Sequence, residues 1–74
     1  MKKEFVFEIV KPIGQIAKRK DGALELNIVS WYRKEPKFDI RKWNSDHSEM
    51  QRGLTFTREE AETLSKLLQD YLAK

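Results

Sequence analysis

The 74-residue sequence predicts an α+β domain: a four-stranded antiparallel curved sheet followed by one C-terminal helix. Three observations carry this. Apolar and polar residues alternate in short runs between Phe5 and Phe56. Turn formers separate those runs at Asp21-Gly22, Lys34-Glu35-Pro36 and Asn44 to Ser48. After Thr57 the apolar spacing changes from two to three and four, the period of a helix face.

The first strand starts at Phe5, where Phe5, Phe7 and Ile9 alternate with Val6, Glu8 and Val10. Pro12 and Gly14 interrupt it, as expected at a sheet edge or a bulge, and it resumes from Ile16 to Arg19. Asp21-Gly22 then closes a tight hairpin. The second strand spans Ala23 to Arg33, with Leu24, Leu26 and Ile28 on one face and Glu25, Asn27, Val29, Trp31 and Arg33 on the other. The third spans Lys37 to Trp43, with Phe38 and Ile40 on the first face and Lys37, Asp39, Arg41 and Trp43 on the second. The fourth runs from about Gln51 to Phe56. Thr57 and Glu60 form a capping box, in which the threonine oxygen accepts from a free amide and the glutamate returns to the cap. Ala61, Leu64, Leu67, Leu68, Tyr71 and Leu72 make an apolar stripe, broad for one helix on one small sheet. The expectation is that the helix covers the leucine-rich face, and that Leu64, Leu67, Leu68 and Tyr71 also meet a second copy of the chain.

Composition points the same way. A chain this short forms one domain with a thin core, and small scaffolds commonly need a staple. There is no cysteine, and one histidine cannot build a zinc site. Dimerisation is the staple that remains. No apolar run reaches the ~18–20 residues of a membrane span, and the N-terminal stretch lacks the marks of a signal peptide. A cytoplasmic, soluble protein is expected. The net charge is +3 and unevenly spread: residues 11–53 carry ten Lys/Arg against six Asp/Glu, residues 57–74 three against four. A one-sided positive field suits a polyanionic partner.

The second face is expected to be open and to hold the function. It presents Trp31, Arg33, Lys37, Arg41 and Trp43: two indoles among three cations. Indoles stack on unpaired bases, and cations between them meet phosphates. Bases in a duplex already stack on each other, so this pattern favours single strands. The competing reading packs Trp31 and Trp43 into a small satellite core. Tyr32 and Lys42 fall on the opposite parity and are weaker candidates on that ground.

The segment Lys37-Phe38-Asp39-Ile40-Arg41, then Trp43, a polar loop, and Gly53-Leu54-Thr55-Phe56-Thr57 before two glutamates resembles the positive cofactor four family of transcriptional coactivators, in its bacterial branch. The likeness is clearest over residues 37–60. It implies a symmetric dimer that binds single-stranded DNA with little sequence preference and acts in transcription regulation, replication or repair. It also implies that Arg41 contacts nucleic acid, that Trp43 stacks on a base, and that Tyr32-Arg33 matches an aromatic–basic pair near the turn between strands two and three. The acidic, serine-rich regulatory segment of the eukaryotic coactivators has no counterpart here.

No enzyme is expected. Ser45-Asp46-His47-Ser48 holds triad residue types, but neighbours in one loop do not converge as a triad must. His47 remains a candidate phosphate contact. The glycines stand alone, so no phosphate loop, cofactor or small-molecule substrate is indicated. Single-stranded RNA is a close variant of the DNA reading. A protein-interaction module anchored by Trp31 and Trp43 is the alternative of another kind.

Overall fold

A computed structural model describes residues 6–74. It is a single antiparallel sheet of four strands in the order β1-β2-β3-β4, followed by one helix. The strands are β1 (Phe7–Arg19), β2 (Gly22–Trp31), β3 (Lys37–Asn44) and β4 (Leu54–Phe56); the helix α1 is Arg58–Leu72. The fold class is as the sequence predicts. The expected start at Phe5 lies outside the described residues.

β1 is one continuous strand across Pro12 and Gly14, not two pieces. Its pairing with β2 slips at three places, leaving Val10, Ile13 and Ile16 as the extra residues. Each bulge adds bend and twist to the strand that carries it. Their sum coils the sheet. Trp31 and Trp43 lie toward opposite ends of the sheet, since Trp43 pairs with Ala23, yet the one Phe7 ring touches both, at centroid distances of 5.5 and 5.1 Å. Gly22 permits the close passage of β2 over β3, since a Cβ there would meet the Trp43 carbonyl oxygen. β4 is only three residues long, and Gln51 to Gly53 belong to the loop before it.

The coil reverses the expected roles of the two faces. The concave face holds Ala23, Glu25, Asn27, Val29, Asp39 and Trp43, all buried. The convex face holds Leu24, Leu26, Ile28, Phe38 and Ile40, all only half-buried, and Leu54, which is 62% exposed. Phe38 and Phe56 stack there, 5.7 Å apart and nearly parallel.

The capping box forms as read: the Glu60 amide donates to Thr57 Oγ1 (3.1 Å) and the Thr57 amide donates to Glu60 Oε1 (2.7 Å). The helix does not cover the sheet, however. It meets β3 near its own start, and none of its residues is buried. Leu64, Leu67, Leu68, Tyr71 and Leu72 are all exposed, from 38% to 74%. The chain is correspondingly extended, with a radius of gyration of 13.6 Å where a compact chain of this length has about 11 Å.

Candidate nucleic-acid interface

Asp39 is the centre of the concave face. It is fully buried, and three neighbours reach it. Arg41 Nε donates to Oδ1 and Arg41 Nη2 to Oδ2, both at 2.7 Å. Trp31 Nε1 and Thr55 Oγ1 also donate to Oδ2, at 3.2 and 3.1 Å. One carboxylate thus ties together β2, β3 and β4. A buried carboxylate is tolerable only when paired and hydrogen-bonded in this way. The Arg41 guanidinium in turn lies 4.5 Å over the Trp31 ring, a cation–π contact.

Beside this cluster opens a cavity of about 430 Å³ lined by Trp31, Tyr32, Arg41, Met50, Gln51, Arg52 and Thr55. Tyr32 stands on its rim, 49% exposed. Its backbone is unusual. Tyr32 (φ 54°) and Arg33 (φ 63°) are both left-handed, and the Lys34 amide donates to the Trp31 carbonyl at 3.0 Å. This is the backbone of a tight primed turn, which normally takes Asn-Gly. Two bulky residues there cost about 1–3 kcal/mol each. The Tyr32 amide also donates to the Val6 carbonyl (2.7 Å), so the surrounding strands hold the turn in place. Twist at the strand end therefore overrides the alternation argument against Tyr32.

The structure treats the sequence candidates differently. Trp31, Tyr32 and Arg41 come together on the cavity. Arg33 and Lys37 are exposed but do not line it. Trp43 is a correction: it is fully buried and cannot present a face to a base as it stands. Phe7 packs on it from β1 and His47 from the following loop, with centroids 5.4 Å apart. Alternation places Trp43 on the functional face, but the coil folds that face over it. Its indole N–H has no partner among the described residues. Arg41 is less free than expected, because Asp39 already engages its charge.

His47 is likewise committed. Its Nε2 lies 2.9 and 3.1 Å from the two Glu25 oxygens, so it is not a free phosphate contact. The Ser45–Ser48 segment is a polar turn. Asp46 accepts from the Ser48 hydroxyl and amide, and those bonds hold its carboxyl below the usual range. No group of three or more potential metal ligands occurs among the described residues.

Met50, Gln51 and Arg52 are not among the sequence candidates: alternation extends the fourth strand over Gln51 and Arg52, where the structure has a loop. Asp39 carried a signal: it lies two residues before Arg41 on the same face. The loop is pinned where Gly53 crosses β3, since a Cβ there would lie 2.3 Å from Arg41 Cβ and 2.4 Å from the Ile40 carbonyl.

Fold and cavity together define a small α+β protein with a coiled sheet, a carboxylate-anchored aromatic–arginine cluster and an unpartnered helix. No family model matches the sequence. The chain is 38% identical over 66 residues to an uncharacterized protein of Treponema pallidum (strain Nichols), covering 88% of this chain and 78% of that one. It belongs to the same family as that protein.

No helix is long and apolar enough to cross a membrane among the described residues.

Proposed function

We propose that this protein binds single-stranded DNA with little sequence preference, as a homodimer, and belongs with the positive cofactor four family. The observation that carries the reading is the cavity, where Trp31, Tyr32, Arg41 and Arg52 line one opening. An exposed phenol ring beside guanidinium groups takes the face of an unpaired base, worth about 1–3 kcal/mol per stacked base. Arg33, Lys37 and Arg52 form no ion pair among the described residues and are available to phosphates. No catalytic step is part of the reading.

The dimer is supported by surface. Leu64, Leu67, Leu68, Tyr71 and Leu72 of α1 are 38–74% exposed, and a contiguous apolar patch of this kind marks an interaction surface. Antiparallel packing of two such stripes is the contact that would bury it. The half-buried convex face adds to that surface.

The test is fluorescence titration with a single-stranded oligothymidine of about 20 nucleotides, a duplex of equal length, and two salt concentrations. Trp31 is the reporter, since it lines the cavity. Quenching by the single strand, a weak response to duplex and steep weakening with salt are expected. Quenching that ignores salt would favour an aromatic-anchored protein contact, and no response to any strand would overturn the reading.

A further inference from the structure

Arg41 carries five N–H groups in a rigid plane. Two go to Asp39, and one Nη1 hydrogen goes to the Gln51 carbonyl at 3.4 Å. One N–H on each terminal nitrogen is left without a partner among the described residues. With Nε and Nη2 engaged side-on by Asp39, the Nη1/Nη2 edge is the remaining edge of the fork, and its two outward N–H groups are parallel by covalent geometry. The fork cannot swing. Asp39 is fixed by Trp31 and Thr55, Trp31 lies under the guanidinium, and the Gly53 backbone closes over Arg41 Cβ and Nε. Only 13% of the Arg41 side chain is exposed, and Arg41 lines the cavity.

The pairing separates charge from direction. Asp39 offsets the charge of Arg41, so a phosphate gains less here than at Arg52 or Lys37. What the fork retains is two fixed, parallel donors. Such a pair selects two adjacent acceptors. Guanine offers them at O6 and N7; adenine sets a donor beside N7, and thymine sets a methyl group beside O4. In a single strand every edge of the base is open, so cytosine, with adjacent acceptors at N3 and O2, is the competitor that the experiment must include.

We propose that Arg41, with Asp39 as its positioning residue, selects a guanine at one position of the bound strand. The inference rests on the single-strand reading and adds one selective base to an otherwise tolerant contact.

The experiment compares four oligomers of about 12 nucleotides: all thymidine, the same with one central guanosine, the same with one central cytidine, and the same with 7-deazaguanosine, which has carbon in place of N7. The guanosine oligomer is expected to bind about tenfold tighter than oligothymidine. The 7-deaza oligomer falls back toward the thymidine level. Arg41→Lys removes the difference between guanosine and thymidine, because an ammonium has no fork. Should that variant fail to fold, the 7-deaza comparison on the unaltered protein decides alone. Equal affinity for guanosine and 7-deazaguanosine would overturn guanine selection while leaving the single-strand reading intact. A preference carried by a central cytidine instead would overturn it too. Absence of binding to all four would overturn both.

Discussion

The two faces of the sheet differ in a way that inverts the usual rule. The concave face is rich in polar and charged groups, yet one chain buries its centre. Asp39, Asn27 and Trp43 are at most 2% exposed. The convex face is leucine, isoleucine and phenylalanine, yet one chain leaves it half-open under a helix that barely touches it. Polar groups are cheap to bury when each finds a partner, and Asp39 finds three. Apolar surface needs only area, and a single chain of this size does not supply enough. The lesson is that the fold is finished on one side and unfinished on the other.

The sharpest way to break this contrast is to attack the finished side. Asp39→Ala removes the acceptor from Arg41, Trp31 and Thr55 and strands a nearly buried guanidinium. It is expected to cost about 3–5 kcal/mol, read as a lower urea midpoint by circular dichroism at fixed protein concentration. Trp43→Ala opens a cavity beside Phe7 and is expected to cost a similar ~3–5 kcal/mol. A Trp43→Ala protein of unchanged stability would mean that the indole is not part of the core and would restore it as a stacking candidate.

The unfinished side should respond differently. Leu68→Glu leaves the concave face untouched but sets a charge in the proposed dimer contact. The lost leucine alone removes about 2 kcal/mol of burial, and the carboxylate adds to it. Light scattering after size exclusion should show a dimer become a monomer, and stability should lose its dependence on protein concentration. A variant that stays dimeric would place the contact elsewhere.

Thr57→Ala gives the smallest effect. It removes the cap of a helix that has little tertiary support, for about 1 kcal/mol. Helical content should fall more than the tertiary signal of the tryptophans, because among the described residues the helix touches the sheet little, chiefly at β3. Equal losses in both signals would show the two regions to be one cooperative unit.

Much of this was legible in the sequence. The helix was clearest, because Thr57, Glu60 and the apolar spacing act within a few residues of each other. Strand order and hairpin positions followed from alternation and turn residues. Parity also sorted the faces correctly: Leu24, Leu26 and Ile28 do oppose Asn27, Val29 and Trp31. What parity lacks is curvature. It treats a sheet as flat, and on a flat sheet Trp31 and Trp43 are equally open.

Local chemistry, which needs only neighbours in the chain, therefore determined the elements, their order and the side of the sheet each residue occupies. Three bulged residues in β1, Val10, Ile13 and Ile16, decided the rest. They coil the sheet so that Phe7 reaches Trp43, and they turn an expected stacking residue into core. The Asp39–Arg41–Trp31 cluster and the pinned loop from Met50 to Gly53 likewise join residues from separate strands. Their contacts depend on distances through space, which a one-dimensional period does not record.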